Sequence, residues 1–74
     1  MGADREIDII EFIIAVINEF ALYYGLTEHQ AYQYIRNHDG VSFIQQNYNI
    51  MHTLDFRDSV ESVANFCKRN GGKL

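Results

Sequence analysis

The chain has 74 residues, of which 47% are hydrophobic, 14% aromatic and 22% charged. This length predicts one compact domain and leaves no room for a second. Ten Asp and Glu against six Lys and Arg give a net charge of -4, which disfavours phosphate backbones and anionic lipid as partners.

The composition also bears on location and stability. Cys67 has no intramolecular partner for a disulfide, which favours a reducing, cytoplasmic setting. Asp4, Arg5 and Glu6 stand where a secretory signal needs net positive charge and then an apolar run, so we expect no export signal. A core this small supplies only about 3–5 kcal/mol of net stability, so we expect some further support, and from composition alone a metal and oligomerisation both remain open.

The first predicted helix, over residues 5–24, is the most apolar part of the chain. Fourteen of the eighteen residues from 7 to 24 are apolar or aromatic, and they form two stripes at helical spacing. Asp8, Glu11 and Glu19 argue against a membrane span, because each carboxylate near a bilayer centre costs roughly 2.5–3.5 kcal/mol. A helix that is apolar over most of its circumference needs cover from several sides, so we expect this one at the centre.

Three shorter helices are predicted over residues 28–38, 41–48 and 55–70. Gly25 ends the first helix, Thr27 and Gln30 form a capping box for the second, and Asp55 caps the last. No alternating strand pattern competes with these segments. The predicted fold class is therefore all-α, a small bundle of about four helices in which three shorter helices cover the long first one.

The large apolar residues divide into a core set and a surface set. The core set falls at helical spacing and comprises Phe12, Phe20, Tyr34, Phe43 and Phe56. The second set is harder to bury in so short a chain, and would either form a protein interface or shield the edges of the core. Its members are Leu22, Tyr23, Tyr24, Tyr32 and Phe66.

The three histidines are the natural candidates for metal ligands or general bases, but no spacing typical of a metal site joins them. We therefore expect no metal and no cofactor. His52 could act as a base oriented by Asp55 or Asp58, with Thr53 or Tyr48 as the hydroxyl partner. The favoured alternative is that His52 and Thr53 bind backbone groups where the chain turns into the last helix.

Residues 28–48 can also be arranged as a helix-turn-helix with its turn at Asp39 and Gly40. Residues 42–49 would then read DNA, because they carry amide and hydroxyl groups of the kind that contact base edges. Arg36 is the only Lys or Arg in this segment, whereas DNA binding normally requires several cations around the reading helix. DNA binding is therefore kept as an alternative to the leading interpretation.

Residues 48–53 resemble the signature of a family of small bacterial proteins of unknown function. In that family a Tyr is followed shortly by Leu-His-Thr, and here Tyr48 is followed by Met51, His52 and Thr53. The resemblance extends over about residues 7–66 and includes the apolar first helix and a Tyr-rich segment before a short helix. This chain differs from the family at position 51, which is Met, and at positions 54 and 55, where the family often has Gln-Gly.

The resemblance implies no established activity. Genes of the family often lie beside another small reading frame, in some cases one resembling an ADP-ribosyltransferase, so the resemblance implies an arrangement like that of a toxin and its antitoxin or of another paired module. An acidic helical protein with excess apolar surface and no catalytic cluster suits protein binding better than turnover.

The sequence therefore predicts a non-enzymatic interaction module. We expect it to self-associate as a dimer and to mask or regulate a protein partner, with an antitoxin-like role as the most specific form. The alternatives are a DNA-binding regulator that uses residues 42–49 and, third, a small hydrolase or transferase centred on His52.

Overall fold

The structure describes residues 2–74, with side chains from Glu6 onward. Within these residues the chain forms five α-helices and no strand. This computed structural model confirms the all-α prediction. The helices are α1 (Gly2–Tyr24), α2 (Glu28–Asn37), α3 (Gly40–Gln46), α4 (Tyr48–Met51) and α5 (Phe56–Arg69).

The predicted helix ends rest on local hydrogen bonds that the structure contains. Gly25 follows α1 with a φ of 65°, a left-handed conformation that glycine adopts without steric strain. At the start of α2, the Gln30 amide N–H donates to the Thr27 hydroxyl at 3.0 Å, and the Thr27 amide N–H donates to the Gln30 side chain at 2.9 Å. Asp55 caps α5, accepting from the Asp58 amide N–H at 3.0 Å.

The third predicted helix, over residues 41–48, ends earlier in the structure, at Gln46, and Asn47 separates it from a further short helix, α4. The backbone there has φ and ψ of -110° and 13°, outside the helical region, and the Asn47 side-chain amide donates to the Phe43 carbonyl at 2.8 Å. An Asn side chain that satisfies the last carbonyls competes with continuation of the helix. α4 therefore lies mostly in the stretch between the predicted helices over residues 41–48 and 55–70, where no helix was expected.

The core lies between α1 and the helices α2, α3 and α5, all of which pack against α1. Its fully buried large side chains come from all four of these helices and are Val16, Phe20, Ile35, Ile44, Val63 and Cys67. The molecule measures 38 × 22 × 21 Å. At 1.5 Å per residue, α1 is roughly 34 Å long, so it defines the long axis and extends past the helices that cover it.

Of the aromatic residues predicted for the core, Phe20 is fully buried, and Phe12, Tyr34 and Phe43 are partly buried against it. The prediction is wrong for Phe56, which is 42% exposed. Phe56 is the first residue of α5, and its ring stacks on the partly buried Phe12 ring at a centroid distance of 6.2 Å.

Within the described residues, no single helix combines the length and hydropathy needed to cross a membrane. Glu6–Tyr24 and α2 reach that length and hydropathy only as a pair, and the pair is bent by 108°.

Candidate functional site

Tyr48 and His52, from the segment that carries the family resemblance, form one local unit around α4. The two rings stack at 4.6 Å with their planes 14° apart. The His52 Nδ1 lies 2.7 Å from the Tyr48 carbonyl oxygen. Because a carbonyl oxygen only accepts hydrogen bonds, Nδ1 must carry a hydrogen and act as the donor. In the neutral ring, Nε2 is then the nitrogen that can accept a hydrogen bond. His52 therefore closes the C-terminal end of the α4 turn.

Thr53 and Asp55 also bind the backbone of their own segment. The Thr53 hydroxyl donates to the Ile50 carbonyl at 2.6 Å, and the Asp55 carboxylate caps α5. Ser59, which is fully buried, donates its hydroxyl to the Met51 carbonyl at 3.3 Å and so ties α4 to α5. The Tyr48, Ile50 and Met51 carbonyls also accept backbone N–H groups, so the His52, Thr53 and Ser59 side chains add a second hydrogen bond to each of them. Asp55 satisfies an amide of the first turn of α5.

This arrangement does not assemble the catalytic chain that the sequence left open. A general base is normally oriented by a carboxylate and faces a hydroxyl. Here the His52 Nδ1–H donates a hydrogen bond to a backbone carbonyl, and the Thr53 hydroxyl donates to another. The contact between Tyr48 and His52 is a stack of their rings. The geometry agrees with the backbone-binding interpretation of His52 and Thr53.

The other histidines lie apart from His52. His38 follows α2, where its Nδ1 donates to the Asn70 carbonyl at 3.1 Å and its ring packs on Tyr34 at 4.8 Å. His29 is exposed at the start of α2, beside Gln33. Among the described residues, no three His, Cys, Asp or Glu side chains are placed to hold a metal ion together.

Cys67 is fully buried where α5 packs beneath Gly40. Burial and, to a lesser degree, the negative charge of Asp39 raise the pKa of the Cys67 thiol from its ordinary value near 9 to about 11. A protonated thiol is a poor nucleophile and a poor metal ligand, so Cys67 serves as a small core residue.

The turn of the helix-turn-helix alternative is present at Asp39, whose φ of 62° is left-handed. The following helix, α3, has only seven residues. Ser42, Gln45 and Gln46 are exposed on it, but the Asn47 side chain is partly buried and bound to the Phe43 carbonyl. The exposed polar residues of the proposed reading surface are therefore divided between α3 and α4, where Asn49 lies, and Arg36 is the only Lys or Arg from residue 28 to residue 48.

The apolar residues predicted to form an interface fall into two places. Leu22, Tyr23 and Tyr24 are 76%, 53% and 38% exposed at the end of α1, and Tyr32 is 40% exposed on α2. Phe66 is instead half-buried between α3 and α5, where its ring stacks on Phe43 at 4.3 Å.

A second exposed apolar surface, at the other end of α1, was not singled out from the sequence. Ile7, Ile10 and Ile14 expose between 53% and 55% of their surface. Their spacing of three and then four residues places them on one side of the helix, and we call them the isoleucine stripe. Glu6 and Glu11 lie along its two edges, roughly 70° to either side around the helix axis.

A shallow groove of about 300 Å³ adjoins the isoleucine stripe. Ile9 and Ile10 of α1 form its apolar part, and Glu6 and Gln45 line it with polar groups. The groove therefore offers an apolar surface next to a carboxylate and an amide.

Comparison with known proteins identifies the family of this chain. Residues 11–70, 60 of the 74, match the family described as "Protein of unknown function (DUF3791)". The chain belongs to this family. The resemblance predicted from the sequence is thereby confirmed at the level of a family of unknown function. No curated protein and no solved structure matches the chain significantly.

The range matched to the DUF3791 family begins inside α1 and includes α2 to α5 in full. Of the isoleucine stripe, only Ile14 lies within it. A signal for the stripe was nonetheless present in the sequence: from Ile7 to Tyr24 apolar residues recur at alternating spacings of three and four, the pattern of a helix that pairs with another helix.

Proposed function

We propose that this DUF3791 protein is a non-enzymatic module that binds another protein through the isoleucine stripe of α1. The observation that carries this proposal is the isoleucine stripe. Six of the ten exposed large hydrophobic residues in the described chain lie on α1, and three of the six form the stripe. Single exposed apolar residues are common, but a row of isoleucines on one helix face is typical of a surface that another helix covers.

The most specific form of the proposal is an antitoxin-like role, in which the module masks the product of the neighbouring gene. The gene arrangement implied by the family resemblance supports this form. A small module with its apolar surface on one projecting helix is suited to covering part of a larger protein, because little of its own stability depends on that surface.

The test is binding to the purified product of the neighbouring gene, measured by titration calorimetry. We expect the wild-type protein to bind, and we expect a variant carrying Ile7→Ser, Ile10→Ser and Ile14→Ser to lose at least about tenfold in affinity, which corresponds to 1.4 kcal/mol. Leu22→Ser is the control, since Leu22 is 76% exposed at the opposite end of the same helix. Equal binding by all three proteins, or no binding by any, would contradict the proposal.

The proposal also requires that His52 has no catalytic role. His52→Ala removes the bond to the Tyr48 carbonyl and the stacked ring, so we expect a stability loss of about 0.5–1.5 kcal/mol. Binding to the partner should be unchanged. If His52→Ala kept its melting temperature and abolished a measured enzymatic activity, the protein would be an enzyme.

A further inference from the structure

We infer that the partner segment which covers the isoleucine stripe is a basic amphipathic helix, with apolar residues toward the stripe and Lys or Arg along both edges. This inference rests on the proposed function and specifies the chemistry of its partner. Three features of the described residues carry it: the helical spacing of the stripe, the charges at its edges, and the groove beside it.

The first feature is the spacing. Ile7, Ile10 and Ile14 occupy the successive apolar positions of a heptad, the arrangement that packs against a partner helix. The same series continues through Ile17 and Ala21, but there α1 is covered by its own chain, and those two residues are 7% and 4% exposed. The part of the seam open to another helix is therefore the N-terminal part, roughly two to three turns long.

The second feature is the charge along the seam. In this heptad, Glu6 and Glu11 occupy the two positions that flank the apolar seam, and such positions determine which helices pair. From Glu6 to Tyr24, α1 carries no Lys or Arg, and α3 and α4 carry no charged residue. Arg5 precedes this stretch next to Asp4, so the two cancel in net charge, and the side chains of both lie outside the described residues.

These charges disfavour a second copy of the chain as the partner. In a parallel pair of α1 helices, Glu6 of one copy would face Glu11 of the other. In an antiparallel pair centred on the stripe, the Glu11 side chains of the two copies would lie close together. Both arrangements bring carboxylates together beside an apolar seam. A helix with Lys or Arg at the flanking positions would replace each repulsion with an attraction.

The third feature is the groove of about 300 Å³ lined by Glu6, Ile9, Ile10 and Gln45. Lys and Arg pack their aliphatic stems on apolar surface and keep their charged ends near polar groups. Ile9 and Ile10 provide the apolar surface, the Glu6 carboxylate provides the opposite charge, and the Gln45 amide oxygen provides a hydrogen-bond acceptor. The groove thus fits one basic side chain of the partner helix.

The test uses two synthetic helical peptides of about three heptads. Both have Leu at the two seam positions, and the flanking positions are Lys in one and Glu in the other. Affinities are measured by fluorescence anisotropy against the full chain at low salt. Two attractions in place of two repulsions predict that the Lys peptide binds about tenfold more tightly.

Charge-reversal variants separate this edge effect from the attraction of any basic peptide to an acidic protein. Glu6→Lys with Glu11→Lys should reverse the preference between the two peptides. Asp8→Lys with Glu61→Lys makes the same change in net charge away from the stripe and should leave the preference as it was. Ile10→Ser should weaken binding of the Lys peptide at least about tenfold, and circular dichroism checks that each variant is folded.

Three results would overturn the inference. If both peptides bind equally and Ile10→Ser weakens both, the stripe is a docking surface whose edges do not select a basic helix, and the proposed function still stands. If the wild-type protein sediments as a dimer that Ile10→Ser dissociates, the stripe is covered by a second copy. Failure of both peptides, together with failure of the neighbouring gene product to bind, would overturn the proposed function as well.

Discussion

The two halves of α1 are built from the same kinds of residue and lie in opposite environments. Toward the C-terminus, Val16 and Phe20 are fully buried and Ile17 is 7% exposed. Toward the N-terminus, Ile10 and Ile14 are 55% and 53% exposed. Ile10 and Ile17 are the same residue one heptad apart, so residue type does not account for the difference.

The difference comes from length. α1 is roughly 34 Å long, whereas the helices that pack on it are shorter: at 1.5 Å per residue, α2, α3 and α5 are roughly 15, 10 and 21 Å long. Where α2, α3 and α5 reach it, the apolar residues of α1 form the core. Beyond them, the same periodicity leaves a surface. One helix therefore serves two purposes. Its covered half, which includes Val16, Ile17 and Phe20, holds the domain together, and its bare half, which carries the isoleucine stripe, is the half that we propose a partner covers.

The largest effect should follow from a large-to-small substitution in the covered half. Phe20→Ala removes a fully buried ring that packs on Tyr24 and Tyr34, at centroid distances of 4.6 and 5.8 Å. Such substitutions cost about 3–5 kcal/mol, which equals the whole stability expected of a core this size. Circular dichroism should show the variant unfolded at 37 °C.

Tyr23→Ala is the matched control for Phe20→Ala, because Tyr23 is an aromatic residue of the same helix that is 53% exposed. We expect it to remain folded, with a loss of about 1 kcal/mol or less. Equal destabilisation by the two substitutions would mean that α1 is covered over a different face.

The elements that sequence reasoning predicted correctly depend on residues close together in the chain. The Thr27 and Gln30 capping box and the Asp55 cap each join groups three residues apart, so their chemistry could be read directly. The break at Asn47 was missed because an Asn side chain inside an apolar periodic segment can either point to solvent or bind the helix end. The resolving contact, to the Phe43 carbonyl, is visible only in the structure.

Exposure along α1 could not be predicted in the same way. Periodicity identified the apolar residues, but which of them are covered depends on where α2, α3 and α5 dock, and those contacts join residues far apart in the chain. Phe56 was assigned to the core for the same reason. For His52 and Thr53 the sequence left two interpretations, and the structure provides the backbone partners that one of them requires.

A second, smaller effect should follow from separating the helices that cover α1. A methyl group on Gly40 would lie 2.5 Å from Ile35 Cγ2, 2.9 Å from the Ile35 carbonyl oxygen and 3.1 Å from Cys67 Sγ. Gly40→Ala should therefore push α3 away from α2 and α5 and cost about 1–3 kcal/mol, measured by urea unfolding. Ser42→Ala, at an exposed position of the same helix, should change stability by less than about 0.5 kcal/mol. A neutral Gly40→Ala would show that the covered half tolerates looser packing than the distances indicate.

The buried thiol of Cys67 provides a pH test of how well the covered half excludes water. Its pKa is about 11 in the folded protein and near 9 ordinarily, so the folded state retains the thiol proton to higher pH. The stability that this provides is complete below about pH 9 and is lost as the pH rises to about 11. Urea unfolding at several pH values should show a decline over this window that is weaker in Cys67→Ala, which lacks the titrating group. A decline of equal slope in both proteins would mean that Cys67 is accessible to water.

The smallest loss of stability should come from a substitution in the bare half of α1, and the same substitution in the covered half compares the two halves directly. Ile10→Ala deletes side-chain atoms that are already half in water, and Ala has the higher helix propensity, so the free energy of unfolding should change by no more than about 0.5 kcal/mol. The same substitution one heptad later, Ile17→Ala, should cost about 2–5 kcal/mol, because Ile17 is 7% exposed. Urea unfolding of the two variants at low protein concentration measures both values under the same conditions. If Ile10→Ala proved as destabilising as Ile17→Ala, the isoleucine stripe would be covered in solution. Stability that increased with protein concentration would then show that a second copy covers it.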